Sequence, residues 1–326
     1  MKVLIIGGAG YIGSCQTKMM CEQNYEVVVV DNLATGYEAA IDKRAKFIKG
    51  DIRDFTFINQ VLQEEEIEGV IHFAALSLVG DSVDQPLAYY NNNVYGMEVL
   101  LRAMQANQVN KIVFSSSAAV YGNHKHMPLT EASLTKPTSP YGQTKLTMEQ
   151  LMKWCDKAYG IKYVSLRYFN ACGATIDGTL GENHNPETHL IPIVLQVPLG
   201  QRESVSVFGN DYHTKDGTCI RDYIHIEDLC SAHILALEKL NQGMESNIFN
   251  LGYGHGYSVQ EIIETASKVV GQAIPYQIEK RRAGDPAELI ASNDKVKQYL
   301  GWEPQYDKIE LIIKTAYDYH KKNLKK

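Results

Sequence analysis

No run of eighteen apolar residues occurs in the 326-residue chain. No helix of it is therefore expected to cross a membrane, and no membrane partner is expected. No C-x-x-C pair occurs among the six cysteines at 15, 21, 155, 172, 219 and 230. A chain this long needs no disulfide staples, so reduced thiols in a cytoplasm are expected. No basic cluster interrupts the net charge of −6, apart from the tail HKKNLKK. That tail reads as a solvated helix end, and a nucleic-acid partner is not expected. No internal repeat or low-complexity tract appears. The N-terminal MKVLIIGGAGYIG lacks a small-residue cleavage site, so it is expected to be mature structure.

What is present is an ordinary globular balance, 44% hydrophobic and 21% charged. The first half alternates short β-rich runs with helical stretches. Strands are expected at 2–7, 26–31, 46–52, 69–74, 111–117 and 162–170. Helices are expected at 11–23, 54–66 and 94–107, and from Pro140 onward. Continuous Val/Ile runs mark strands buried on both faces, as in a parallel sheet. The alternation gives a doubly wound α/β fold of Rossmann type over 1–170, which binds ligands beyond the carboxyl ends of its strands. Residues 171–326 are expected to form a smaller mixed α/β lobe, from which a strand near 247–253 rejoins the main sheet. Ser258 and Glu261 form a capping-box pattern, with Gly271 and Gly301 as helix stops.

GGAGYIG (7–13) follows the first strand and opens a helix. Gly7 permits the turn, Gly10 lets a pyrophosphate approach the backbone, and Gly13 lets the helix pack on the sheet. Asp31 ends the next strand, eighteen residues after Gly13. A carboxylate there accepts both ribose hydroxyls of an adenosine and repels a 2′-phosphate, and Asn32, not arginine, follows. NAD is therefore expected over NADP.

In SPYGQTK, Ser139 reads as an N-cap and Pro140 as the first helical residue, which puts Tyr141 and Lys145 one turn apart. Met148, Met152, Cys155 and Tyr159 continue the stripe as core or helix contact. A tyrosine of pKa about 10 needs roughly three units, or about 4 kcal/mol, to ionise at pH 7. A cation at about 4 Å supplies on the order of 4 kcal/mol at an effective dielectric of 20. Lys145 and a positive nicotinamide ring together are expected to make Tyr141 a general base beside a hydride acceptor.

GGAGYIG, Asp31, Asp51-Ile52, SSSAAVYG and YGQTK together resemble the extended short-chain dehydrogenase/reductases. HFAALSLVGDSVDQPLAYYNNNVYG, LRYFNACGA, ETHLIP, DGTCIRDYIHIEDL and RRAGDPAELIAS narrow the likeness, over essentially the whole chain, to the branch that inverts C4 of UDP-hexoses. The resemblance implies Ser117 as proton relay with Tyr141 and Lys145. It implies NAD contacts at Gly7, Gly10, Tyr11, Ile12, Gly13, Asp31, Asn32, Asp51, Ile52, Phe73, Ala74, Ala75, Asn93, Ser115, Tyr141, Lys145 and Tyr168. It implies a UDP-sugar site at Ser117, Tyr141, Asn170, His189, Leu190, Phe208, Arg221, Arg282, Asp285 and Leu289. Arg221 pairing with Asp222 or Asp228, and His189 capping a helix, are the structural alternatives.

Two positions depart from relatives. Ser77 stands where some carry a cofactor-holding lysine, which implies looser NAD. Leu289 is intermediate between a bulky tyrosine and a smaller residue, which implies some activity on UDP-N-acetylglucosamine. Ala118 and Ala119 replace the acid pair that a 4,6-dehydratase needs. No extra cation for a uronate is identifiable, and the retained Ser117, Tyr141 and Lys145 argue against a silent NAD-sensing protein. His124 with His126, and His184 with His189, read as loop histidines rather than metal ligands, since neither set shows partners at a known spacing. The faces of 94–107 and 140–158 either form a four-helix homodimer interface or are covered within one chain.

Overall fold

The structure, a computed structural model, describes residues 1–282 and 285–324. In chain order its first half runs β1 (Lys2–Ile6), α1 (Tyr11–Glu22), β2 (Glu26–Asp31), β3 (Lys46–Lys49), α2 (Phe55–Glu64), β4 (Gly69–His72), α3 (Val79–Asp84), α4 (Pro86–Tyr89), a π-helical turn at Tyr90–Tyr95, α5 (Gly96–Ala106), β5 (Lys111–Ser117), α6 (Pro140–Tyr159) and β6 (Lys162–Tyr168). The second half runs β7 (Asn170–Cys172), α7 (Leu190–Gln196), β8 (Val205–Phe208), β9 (Ile220–Arg221), β10 (Tyr223–His225), α8 (Ile226–Asn241), β11 (Asn247–Leu251), β12 (Tyr257–Ser258), α9 (Val259–Val270), β13 (Tyr276–Glu279), β14 (Glu288–Leu289), α10 (Asp294–Leu300) and α11 (Ile309–Asn323).

Seven strands form one parallel sheet in the order β11-β6-β5-β4-β1-β2-β3. Val3, Leu4, Ile5 and Val29 are fully buried, which is why β1 and β2 read as unbroken apolar runs. The order turns back on either side of β1, so the ends of β1 and β4 bound a crevice. On one face Ile58, Leu62, Met97, Leu101, Met104, Met148 and Met152 share a core. The apolar faces of the 94–107 and 140–158 stretches are thus covered within the chain. Tyr159, the last residue of α6, leaves that stripe and is 55% exposed.

The other face is closed by α1 and by α8, a helix from the second half that packs on β4, β5 and β6. β11 pairs parallel with β6, as the 247–253 reading expected. The 162–170 reading splits: β6 stays in the main sheet, and β7 turns away to pair with β10. The rest of the second half holds two smaller sheets, β12-β9-β14 and β13-β8. Local signals behave as the chemistry dictates. The Ser139 hydroxyl accepts from Gly142 N at 3.2 Å with Pro140 beside it, and Gly160 ends α6 at φ +70°. The Ser258–Glu261 capping box closes in both directions.

Candidate active site

The glycine loop sits at the crevice. A Cβ on Gly13 would lie 2.1 Å from Gly7 O, and one on Gly7 would lie 2.6 Å from Ala74 N. Both glycines are demanded by the chain itself. Gly10 is different: its Cβ would meet nothing nearer than Gly7 O at 3.6 Å. Its bare backbone faces open space at the head of α1, which fits a pyrophosphate approaching the first turn. The Asp31 carboxylate accepts from Ala9 N at 3.0 Å and Leu33 N at 2.8 Å, which holds it against the loop.

Asn32 donates to Asp51 at 3.2 Å, and the Arg53 guanidinium holds the Asp51 carboxyl well below the usual range. Ile52 is buried where a Cβ on Gly96 would strike it, 2.8 Å from its Cγ2. Phe73 packs on His233 with ring centres 4.8 Å apart and the planes tilted by 44°, and Phe73 and Ala74 both donate to Ile6 O. Asn93 is differently employed. Its amide clips both polar groups of Leu76 and donates to the Thr144 hydroxyl at 3.1 Å. It therefore braces the Ala74–Ala75 loop against α6. Tyr11 begins α1 and donates to Gly173 O at 2.7 Å, and the neighbouring Ile12 packs against Cys230.

Ser115 and Ser117 end β5 beside Tyr141 and Lys145. The Lys145 ammonium is 1% exposed and donates to Ser115 O at 2.7 Å. It lies 5.8 Å from the centre of the Tyr141 ring. The Ser115 and Tyr168 hydroxyls are bonded to each other. Burial drives the Lys145 pKa down to about 7, opposed only by the Glu149 carboxylate. Burial pushes Tyr141 upward, and the nearby Ser117 hydroxyl pulls the other way. The expected lowering of Tyr141 rests on Lys145 together with a positive nicotinamide ring, and burial is the opposing cost that those two charges would have to outweigh. Desolvation is the largest influence on both groups.

Beneath this pair lies a network that the sequence reading missed. Glu149 receives two hydrogen bonds from Arg167, at 2.9 and 2.6 Å, and one from Ser116 at 2.5 Å. Arg167 continues to the Tyr121 hydroxyl, which donates to Asn250. Glu149 sits four residues beyond Lys145, a spacing that could have flagged it. His72 on β4 is buried with both ring nitrogens unpartnered among the described residues. Burial, then the Lys145 charge, lower its pKa to about 3.

Across the crevice, Asn170 on β7 donates to Asp222 O at 3.0 Å. Arg221 pairs with Asp285, not with Asp222 or Asp228. Asp222 instead accepts from Tyr253, Gly254 and Ala291 N, and Asp228 accepts from Gln305 and Tyr306 N. The Arg282 guanidinium lies 3.9 Å above the Phe208 ring. Leu289 pairs in register with Arg221 and packs against the cluster of Ala118, Val120 and Tyr121, next to Ser117. His189 stands at the N-cap of α7, just before Leu190, but its side chain caps nothing. Its ring turns to Glu182 and Glu187, and so does that of His184. Burial works against a charged His189, yet the carboxylates outweigh it and raise it to about 10; they raise His184 to about 9. The carboxylate partners that the loop-histidine reading did not find thus lie in the same stretch of chain, each two residues before one of the histidines.

A parallel seven-stranded sheet, a glycine loop at its switch point and a Ser–Tyr–Lys set at its edge define a dinucleotide-dependent enzyme fold. Residues 3–252 match the model of the NAD dependent epimerase/dehydratase family, and the chain belongs to that family. Its cofactor is NAD. The chain is 52% identical over 320 residues to the UDP-glucose 4-epimerase of Lacticaseibacillus casei, covering 98% of this chain and 97% of that one. A solved UDP-glucose 4-epimerase superposes with TM-score 0.98 at 52% identity, covering 99% of this chain and 98% of that one. The Brucella ovis UDP-glucose 4-epimerase, solved in complex with NAD, superposes with TM-score 0.95 at 44% identity, covering 97% of each chain.

Proposed function

We propose that the protein interconverts UDP-glucose and UDP-galactose by inverting C4 of the hexose. The observation that carries this reading is the convergence of Ser117, Tyr141 and a buried Lys145 at the carboxyl edge of β5, beside the glycine loop. NAD, when bound, supplies the acceptor and donor of the C4 hydride together with a positive ring. The loop backbone at Gly10, Tyr11 and Ile12 and the Asp31 carboxylate would hold it, with Lys145 and Ser115 at the reacting end.

Tyr141 takes the 4-hydroxyl proton, relayed by Ser117, as the C4–H bond breaks. Burial pushes its phenol up, and Lys145 together with the positive ring of bound NAD would supply the opposing pull toward a base at neutral pH. Arg221 and Arg282 present two cationic forks to the diphosphate dianion, and Asp285 must release Arg221 to do so. Held there, a 4-keto sugar could turn within the pocket without escaping and present its other face to the reacting end of NAD, and Tyr141, through Ser117, would return the proton to the 4-oxygen. Phe208 offers a flat partner for uracil, and Asn170, Leu190 and the backbone of His189 would line the sugar side, the His189 ring being turned to Glu182 and Glu187. Ala118 and Ala119 carry no acid or base, which disfavours elimination of water.

The protein is incubated with UDP-galactose without added NAD, and UDP-glucose is followed. Turnover is expected, falling by two or more orders of magnitude in Tyr141→Phe. A variant near the full rate would reject Tyr141 as the base.

Leu289 beside Ser117 leaves more room than a tyrosine, so we read some activity on the N-acetylated UDP-hexoses as well. Ser77 is exposed and offers no ammonium, in line with a looser hold on the cofactor. All six cysteines are free, which suits a cytoplasmic enzyme. A homodimer would use the outer surfaces of α3, α4, the π turn and α6, where Val83, Leu87, Tyr95 and Trp154 are 44 to 84% exposed. Sedimentation of a monomer at micromolar concentration would end that part of the reading.

A further inference from the structure

The segment between β7 and α7 carries a cluster that hydride transfer does not use. Glu182, His184, Glu187 and His189 each direct one donor atom inward, and these four atoms all lie within 4.8 Å of one another. The His189 Nδ1 is 2.6 Å from Glu182 Oε1 and 3.4 Å from Glu187 Oε1. The His184 Nδ1 is 3.0 and 3.9 Å from the same two oxygens. The carboxylate side chains are 3% and 7% exposed. The two imidazoles can balance these two anions by binding protons, and a divalent ion on the same four donor atoms would take the place of those two protons.

We propose that Glu182, His184, Glu187 and His189 bind one divalent transition-metal ion as a structural site. In a tetrahedral site with bonds of about 2.0–2.2 Å, neighbouring donors lie about 3.4 Å apart. The four nitrogen–oxygen separations straddle that value, so small side-chain shifts complete the coordination. Two imidazoles and two carboxylates suit a borderline cation such as Zn²⁺ better than Mg²⁺ or Ca²⁺, which prefer all-oxygen shells. Four protein ligands leave no open position, so the ion holds structure and does not activate water.

Position gives the site its purpose. The ligands end at His189, immediately before Leu190 and α7, which packs on α9 and α11. The ring of Tyr11, from the glycine loop, lies edge-on to His184 with centres 6.1 Å apart. A Cβ on Gly181 would strike the Tyr319 ring of α11 at 2.5 Å, so the segment is pinned against that helix. The next residue, His320, keeps a buried Nε2 without a partner among the described residues. An ion here would clasp the segment ahead of α7 to the head of α1 and to the C-terminal helix.

The test strips the purified protein with chelator, adds ZnCl₂, removes unbound ion and measures zinc per chain together with the melting midpoint. Close to one ion per chain and a midpoint several degrees higher are expected. In His184→Gln and Glu187→Gln, bound zinc should fall to about a tenth or less, and the midpoint should stop responding. Far-UV circular dichroism checks that both variants fold, and the wild-type titration stands independently of them. Wild-type protein that retains no zinc and shows no shift would overturn the site and leave a closed ion-pair quartet. Variants that bind zinc like wild type would also overturn it, by putting the ion on other groups.

Discussion

Lys145→Met should make the cofactor-free protein less dependent on pH for its stability. The Lys145 ammonium is fully buried, and its pKa falls to about 7 from an ordinary 10.5. Between those values the unfolded chain binds a proton that the folded chain has lost. Stability conferred at this position therefore rises with pH through the window and is lowest below pH 7. At about 1.4 kcal/mol per unit, the two units from pH 7 to pH 9 amount to about 3 kcal/mol. The hydrogen bond from Lys145 to Ser115 O and the lost packing of its stem change the absolute difference between the two proteins. They change its slope with pH far less. Urea unfolding of NAD-free wild type and Lys145→Met at pH 6 and pH 9 reads the slope directly. The wild type should gain about 3 kcal/mol relative to the variant on going to pH 9. Parallel curves would refute the reasoning: they would mean that the ammonium is hydrated or fully paired in the folded chain, and that burial does not set its charge.

Two further outcomes follow from the same geometry. Gly10→Ala should melt within a degree or two of wild type, since its Cβ has open space, yet lose at least about tenfold in NAD affinity by fluorescence titration. Gly13→Ala, with a Cβ driven to 2.1 Å from Gly7 O, should lose stability by about 1–3 kcal/mol or more, and equal melting of the two variants would sink the distinction. Leu289→Tyr should keep activity on UDP-galactose while removing turnover of UDP-N-acetylglucosamine, measured side by side. An unchanged ratio would take Leu289 out of the sugar pocket.

The glycine loop, Asp31 and the Tyr141–Lys145 pair were legible in the sequence because each depends on spacing within one strand–turn–helix unit. Covalent chain geometry sets those distances whatever lies around them. The same holds for the Ser139 and Ser258 caps, which are satisfied by groups three residues away. The seven-stranded order was legible only as a class, from unbroken Val/Ile runs. Which helix closes the second face was not legible, because α8 belongs to the sheet only through packing of a segment sixty residues downstream of β6.

Groups far apart in the chain were left to the tertiary structure. Arg221 has acidic neighbours at 222 and 228, yet pairs with Asp285, since β9 and β14 lie side by side and Asp222 is spent on backbone amides. Glu149 finds Arg167 only because α6 lies on β6. How strongly the Tyr141–Lys145 pair is desolvated was left to the fold for the same reason. Pairwise distance along a helix foretold attraction between an ammonium and a phenol, but the dielectric around them is set by everything folded over them. Sequence by itself determined which reactive groups exist and which neighbours on one element they have. Folding alone decided their solvation and their distant partners, because desolvation depends on all the atoms that exclude water and no short stretch of chain contains them.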